Sequence, residues 1–150
     1  MLPLKSHIPK AINTGSMVKT CDNSGAKILR IVSIKGSKTV EGRKPAAGIA
    51  DLILASVRSG NPEMRKQVVF AVIVRQKKEL RRPNGERIKF EDNAAVVLKD
   101  DKGNPKGTIF KGAIAKEACE RWPGIAIGIA VIVILLSILV WWLYVDPRAF

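Results

Sequence analysis

Residues 71–98 read AVIVRQKKELRRPNGERIKFEDNAAVVL and contain the clearest structural signals of this 150-residue chain. The segment starts with Ala71–Val74, an apolar run that can be buried on both faces, and it ends with another β-branched run, Ala94–Leu98. Between them, Asn84-Gly85 strongly favours a tight hairpin turn. Phe90 is placed to close the end of the core where the chain re-enters it. The segment therefore predicts two core strands joined by a protruding hairpin.

Similar short β-branched runs, separated by turn-forming residues, occupy most of the chain. Strands are predicted at residues 17–20, 28–34, 49–57, 67–74, 87–90, 94–98 and 108–111. The intervening segments, such as Asp22–Gly25 and Asp100–Asn104, are rich in residues that tolerate positive φ or preset a turn. Many short strands at this spacing are typical of a β-barrel or a β-sandwich, so the predicted fold is mainly β.

A short amphipathic helix is predicted to close the domain before Pro123, which stops or kinks it. The residues at helical spacing on its apolar face are Ile114, Ala115, Ala118, Cys119 and Trp122, whereas Lys116, Glu117, Glu120 and Arg121 face elsewhere. Residues 1–16 contain Pro3, Pro9 and few large apolar side chains, so they are predicted to form an arm without fixed structure. The folded domain is therefore expected to span residues 17–123.

The charge of the chain indicates a polyanionic partner. It has 26 Lys and Arg residues against 13 Asp and Glu residues, a net charge of +13, and only Asp146 and Arg148 among them lie after residue 123. The body is also rich in Val, Ile and Leu, so it is expected to fold, in contrast to a disordered basic tail. A folded domain with this charge is typical of nucleic-acid-binding proteins.

The charge is densest in the predicted hairpin, where seven cations between residues 75 and 89 are opposed only by Glu79 and Glu86. Proteins that bind single strands stack bases on exposed aromatic side chains, but Phe90 is the only aromatic residue associated with this hairpin. The composition therefore favours folded RNA, recognised through its backbone and shape by Arg and Lys.

Enzymatic chemistry is not expected from this set of residues. With one histidine, His7, and two distant cysteines, Cys21 and Cys119, the chain lacks the side chains for a catalytic triad, a zinc site or a disulfide scaffold. Residues 36–39, GSKT, also fail as a phosphate-binding P-loop, which requires glycine immediately before the lysine. We therefore expect no enzyme activity, no cofactor and no metal, and the cysteine usage indicates a reducing compartment.

The spacing within residues 71–97 carries a family resemblance. The apolar run 71–74 is followed after nine residues by Asn84-Gly85, after four more by Phe90, and then by Asn93 and residues 96–97. With this spacing, the chain resembles the universal ribosomal large-subunit protein L-fourteen family, in its archaeal and eukaryotic form, over about residues 15–122. Residues 22–26, 60–66 and 115–117 are also similar to segments of that family.

The resemblance implies a five-stranded β-barrel with a protruding basic hairpin and a short C-terminal helix. It further implies a structural constituent of the large ribosomal subunit, located on cytoplasmic ribosomes, that binds large-subunit rRNA and contributes to intersubunit bridges with small-subunit rRNA. A neighbouring large-subunit ribosomal protein and an anti-association factor are the other implied partners. The implied rRNA contacts are Arg43, Lys44, Arg65, Lys66, Arg75, Lys77, Lys78, Arg81, Arg82, Arg87 and Lys89.

Residues 124–145 depart from that family as an uninterrupted run of 22 uncharged residues. As a helix this segment would be about 33 Å long, which matches the core of a bilayer. Trp141, Trp142 and Tyr144 would form an aromatic belt at one end. A long apolar transmembrane helix is therefore predicted, with a cytoplasmic body and residues 146–150 as a short tail beyond the membrane. An apolar tail buried against a partner and a terminus altered by a shifted reading frame are the open alternatives.

The apolar segment also supports a second functional hypothesis, a membrane-tethered basic adaptor that binds anionic lipid or another nucleic acid. Lipid binding favours basic residues beside the membrane segment. The basic hairpin, in contrast, ends at Lys89, about 35 residues before the apolar segment begins at Gly124. The sequence therefore favours rRNA over lipid.

Overall fold

The structure is a computed structural model and describes residues 8–127. Its strands are β1 (Ile12–Asn13), β2 (Met17–Thr20), β3 (Ala26–Ile34), β4 (Ala46–Ala47), β5 (Leu52–Gly60), β6 (Val68–Arg75), β7 (Leu80–Arg81), β8 (Arg87–Ile88) and β9 (Ala94–Leu98), and its helix is α1 (Lys116–Arg121). Residues 123–127 are also helical. The predictions of a mainly β fold and of a short helix before Pro123 are confirmed.

Five strands form a closed barrel in the order β2-β3-β5-β6-β9. Neighbouring strands are antiparallel except at the closure, where Lys19 of β2 pairs in parallel with Ala94 of β9. The pairs β1–β4 and β7–β8 form separate two-stranded sheets. The five-stranded barrel implied by the family resemblance is therefore confirmed, and the β-sandwich alternative is wrong.

Alternation along β6 and β9 explains why both strands are apolar on two faces. Successive side chains of a strand point to opposite sides, and here the two sides enter two different buried clusters. The cluster inside the barrel contains Ala71, Ile73, Ala95 and Val97, and the outer cluster contains Val72, Val74, Ala94 and Val96. Ala118 of α1 and Ile125 belong to the outer cluster. The C-terminal segments therefore cover the strands that carry the hairpin.

Part of the N-terminal arm is structured, contrary to the prediction for residues 1–16. Strand β1 pairs with β4, and Ile8 and Ile12 are both buried in the hydrophobic clusters. The arm docks on the barrel because these two isoleucines bury apolar surface there. Residues 1–7 of the predicted arm lie outside the described residues.

Three predicted strands differ clearly in the structure. The strand predicted at residues 87–90 ends at Ile88. The run predicted at residues 49–57 becomes a strand only at Leu52, because Ala50 adopts a left-handed φ of 66° that ends any extended run before it. Residues 108–111 form a single bridge, between Asp22 and Phe110. The Asn23 side-chain oxygen accepts hydrogen bonds from the backbone N–H groups of residues 108 and 109 at 2.9 and 3.3 Å, in place of a strand partner.

The first residues of the predicted transmembrane segment are part of the folded domain. Ile125 is fully buried in the outer cluster, and a Cβ at Gly124 would lie 2.8 Å from the carbonyl oxygen of Gly103. Residues 124 and 125, at the start of the predicted membrane helix, therefore pack against the folded domain. Within residues 8–127, no helix has the length and apolar character needed to cross a bilayer. The rest of the predicted span, within residues 128–150, lies outside the described part of the chain.

Candidate nucleic-acid interface

The basic hairpin leaves the barrel at the end of β6 and returns at the start of β9. Its strands β7 and β8 are antiparallel, with Leu80 opposite Ile88 and Arg81 opposite Arg87. At the base, the Lys77 backbone N–H donates to Asn93 Oδ1 at 2.8 Å and joins the two ends of the hairpin. The predicted hairpin is therefore present, and Asn93 stabilises its base.

The hairpin turn is one residue longer than the Asn84-Gly85 pair predicts. The Gly85 N–H donates to the Arg82 carbonyl at 3.0 Å, and the Arg82 N–H donates to the Glu86 carbonyl at 2.9 Å, so a three-residue loop separates Arg82 from Glu86. A two-residue turn would place Pro83 in the strand ladder, where proline has no N–H to donate. Gly85, with φ of 91°, supplies the left-handed residue that ends the loop.

The two faces of the hairpin differ in polarity. Leu80 is buried and Ile88 packs against the outer cluster, so Arg81 and Arg87 lie on the opposite, exposed face. Directly opposed like charges destabilise a pair of strands. Arg87 Nη1 donates to Glu79 Oε1 at 2.9 Å, but Arg81 has no partner among residues 8–127. An anion bound on this face would relieve the repulsion.

The Arg75 guanidinium is hydrogen-bonded within the protein, at the base of the hairpin. Its Nε and Nη2 donate to the two carboxylate oxygens of Asp92 at 2.8 and 3.2 Å. Its Nη1 donates to the carbonyl oxygens of Lys111 and Ala113 at 3.1 and 2.8 Å. A Cβ at Gly112 would lie 2.8 Å from Nη1, so this glycine leaves room for the guanidinium. The geometry assigns Arg75 a structural role within the protein.

Arg82 braces the hairpin against α1. Its Nε donates to Glu117 Oε1 at 2.7 Å, and its Nη1 lies 3.5 Å from Glu86 Oε2. The hydrogen bond to Glu117 raises the pKa of Arg82 above its ordinary value. The Glu117 side chain is only 9% exposed, although the sequence places it away from the apolar face of the helix. Strand alternation is the sequence signal for this pair, because it places Arg82 on the same face as buried Leu80.

Five hairpin cations remain exposed, and we call them the hairpin array: Lys77, Lys78, Arg81, Arg87 and Lys89. Within residues 8–127, only Arg87 among them forms an ion pair, and this exposed pair with Glu79 contributes little stability. Arg75 holds the hairpin at its base and Arg82 holds it near its turn. The array therefore presents exposed cationic side chains on a braced ribbon, an arrangement suited to backbone phosphates.

The other four implied contacts are divided between the two ends of the barrel. Arg43 and Lys44 are exposed in the loop after β3, which leaves the barrel at the hairpin end, whereas Arg65 and Lys66 are exposed in the β5–β6 loop at the opposite end. The strand register identifies the two ends of the barrel. At the hairpin end, the last pairs of β3–β5, β5–β6 and β6–β9 are Ile34–Ile53, Leu52–Val72 and Arg75–Ala94. At the opposite end, the corresponding pairs are Ala26–Gly60, Ser56–Val68 and Phe70–Leu98. The eleven implied contacts therefore do not share one end of the barrel.

Comparison with known proteins identifies the family. The family model described as ribosomal protein L14p/L23e matches residues 11–134. This chain belongs to that family. The match extends beyond residues 15–122 and includes residues 124–134 at the start of the apolar segment.

Individual relatives are similar over nearly their whole length. A protein named large ribosomal subunit protein uL14 from Methanothrix thermoacetophila is 54% identical over 129 residues, which are 86% of this chain and 97% of the relative. Proteins of the same name from Nanoarchaeum equitans and Halorubrum lacusprofundi are 52% and 48% identical over 126 residues, which are 84% of this chain and 95% of each relative.

Proposed function

We propose that this chain is a structural constituent of the large ribosomal subunit that binds large-subunit rRNA. Its family and the names of its relatives support the ribosomal assignment. The observation that carries RNA binding is the hairpin array, a set of exposed cations on a ribbon braced by Arg75 and Arg82. Only one of these cations has an ion-pair partner in the described part of the chain. The role is one of binding and organisation, without enzymatic activity.

The array would contact the phosphate and 2′-hydroxyl groups of folded RNA. Because the ribbon is already fixed, binding orders only the side chains, which lowers its entropic cost. Arg75 and Arg82 act as positioning residues that set the direction of the hairpin. Arg43 and Lys44 at the hairpin end, and Arg65 and Lys66 at the other end, would add further phosphate contacts.

Several finer features belong to the same proposal and are supported by the family resemblance. They are an intersubunit bridge to small-subunit rRNA, contact with a neighbouring large-subunit ribosomal protein, docking of an anti-association factor, and location on cytoplasmic ribosomes. Sedimentation of the tagged chain with both free large subunits and joined ribosomes would test its incorporation. Membrane association through the apolar segment 124–145 is a separate proposal, supported by its 22 uncharged residues.

Removal of charge from the hairpin array tests the RNA proposal. Replacing Lys77, Lys78, Arg81 and Lys89 with Gln removes four cations and keeps most of each aliphatic stem. We expect weaker filter binding to in vitro-transcribed large-subunit rRNA. The slope of log affinity against log salt should become shallower by about 3 to 4 units, because each lost phosphate contact removes roughly 0.9 unit.

A matched control replaces four exposed lysines outside the hairpin with Gln: Lys27, Lys38, Lys99 and Lys102. Both variants lose the same net charge. Equal losses of affinity and slope in the two variants would show that only net charge matters and would refute the role of the hairpin. Equal affinity of the wild-type chain for rRNA and for vesicles of anionic lipid would instead favour the membrane-tethered adaptor.

A further inference from the structure

A shallow groove of about 480 Å³ lies on the outer wall of the barrel beside β3 and β5. Four separate segments contribute its polar lining, which consists of Thr14, Arg30, Lys44, Ser56 and Arg58. Arg30 and Ser56 are directly paired across β3 and β5. Residues on either side of each, such as Leu29 and Val57, are buried inside the barrel, so Arg30, Ser56 and Arg58 share its outer face. The fold thus gathers three cations that are distant in the sequence.

Among the described residues that line the groove, three carry a positive charge and none is acidic. Within residues 8–127, the side chains of Arg30, Lys44 and Arg58 form no hydrogen bond or ion pair. Cations gathered without counter-charge repel one another, so a bound anion would remove an unfavourable interaction. The hydroxyl groups of Thr14 and Ser56 add hydrogen-bond donors at the same place.

The groove and the hairpin array face different directions. In the barrel order β2-β3-β5-β6-β9, β5 separates β3 from β6, and β2 separates β3 from β9. The hairpin continues β6 and β9, so Arg30 on β3 lies across the barrel from the strands that carry the array. The groove and the hairpin array therefore lie on opposite sides of the barrel, where one short RNA segment cannot contact both.

We propose that this groove binds the phosphodiester backbone of a second RNA segment, separate from the segment at the hairpin array. The inference rests on the proposed function and deepens it. Arginine forks bind pairs of phosphate oxygens and lysine adds a point charge, while the two hydroxyl groups bond remaining oxygens. An open groove along a strand wall suits a polymer backbone that passes over it. With both surfaces occupied, the barrel fixes the relative position of two RNA segments.

Hydroxyl-radical footprinting on in vitro-transcribed large-subunit rRNA tests this inference. The wild-type chain is expected to protect two separate stretches of RNA. The groove variant, with Arg30→Gln, Lys44→Gln and Arg58→Gln, should lose one stretch and keep the other, and its salt slope should become shallower by about 2 to 3 units. The hairpin variant, with Gln at positions 77, 78, 81 and 89, should show the reverse pattern.

The matched control for the groove replaces Lys38, Lys99 and Lys102 with Gln and removes the same charge from scattered exposed positions. Thermal unfolding of the groove variant should occur at the wild-type temperature or slightly above it, because its three side chains have no partner to lose within residues 8–127 and their mutual repulsion is removed. A groove variant that keeps both protected stretches, or that loses no more than the control, refutes the second site while rRNA binding stands. A wild-type chain that protects nothing refutes the proposed function itself.

Discussion

Asp22 is a buried carboxylate at the end of the barrel opposite the hairpin. Its Oδ2 accepts a hydrogen bond from the Val97 N–H at 2.8 Å, and its Oδ1 accepts one from Ser24 Oγ at 2.8 Å. Burial outweighs these bonds and raises the pKa of Asp22 above its ordinary value of 3.8. Ionisation in the folded state therefore costs stability. As the pH rises, the free energy of unfolding begins to fall near the ordinary pKa of the carboxyl group. It stops falling above the raised pKa of Asp22 in the folded protein.

The pH dependence of an Asp22→Asn variant checks this balance. The amide keeps an acceptor for the Val97 N–H and can donate to Ser24, but it carries no charge. We expect the variant to equal or exceed the wild-type free energy of unfolding at pH 7, and the difference to narrow at pH 3, where both side chains are neutral. Urea denaturation of both proteins at pH 7 and pH 3 measures this difference in the free energy of unfolding. A variant clearly less stable than wild type at pH 7 would show that the hydrogen bonds outweigh burial.

The adjacent residues Arg81 and Arg82 show how far sequence reasoning reaches at single positions. Strand alternation separates them, since one shares a face with exposed Arg87 and the other with buried Leu80. The internal role of Arg75 could not be predicted in the same way. Its acceptors lie 17 to 38 positions later in the chain and meet it only through the tertiary fold.

At the scale of elements, the hairpin and α1 support each other through Arg82 and Glu117. A Glu117→Gln variant tests this contact, because Glu117 Oε2 has no hydrogen-bond partner among the described residues and an amide nitrogen can replace it there. The variant loses the charge that pairs with Arg82. We expect a loss of about 1 kcal/mol in the free energy of unfolding, because the amide oxygen still accepts from Arg82 and only the added strength of the charged acceptor is lost.

The neighbouring Arg81→Gln variant serves as the control for this contact. Arg81 has no internal partner among residues 8–127, so its replacement should change stability by less than about 0.5 kcal/mol. Its effect should appear in rRNA affinity instead. Comparable destabilisation by the two variants would contradict the brace between the hairpin and α1.

The boundaries of strands are predictable from the sequence where the apolar run is long and uninterrupted. They are less predictable where a single residue or a local contact ends the strand. The core strands β6 and β9 are predicted within about one residue, because both runs are short, rich in β-branched residues and bounded by turn residues, which favours buried strands over helices. The pairing of β1 with β4 was missed because two-residue strands carry no periodicity. The turn at Asn84-Gly85 has three residues instead of two because Pro83 precedes it. This constraint is visible in the sequence.

On the scale of the whole molecule, the apolar C-terminal segment divides into a docked part and a remainder. Ile125 is fully buried against the barrel, and the family match continues to residue 134. A chain ending after Ile134 keeps both features and retains too few apolar residues to span a bilayer. If residues 124–145 anchor the protein, this shortened chain should leave the membrane fraction and keep its rRNA affinity, as measured by flotation and filter binding.

A chain ending after Pro123 is the contrasting case. It lacks Ile125, so it should lose about 1.5–3 kcal/mol of stability, the usual contribution of a fully buried aliphatic side chain. Persistence of the Ile134-terminated chain in the membrane fraction would contradict anchoring by the removed segment. So would a full-length chain that never floats with membranes.

The parallel pairing of β2 with β9 has a consequence for biosynthesis. The barrel closes only when β9 joins β2 and β6, so a chain emerging from the ribosome has one open edge on β2 and one on β6 until residues 94–98 are made. Such open edges are templates for mispairing with other chains. The strong positive charge of the body gives the nascent protein mutual repulsion during that interval, which keeps neighbouring copies apart until the ring closes.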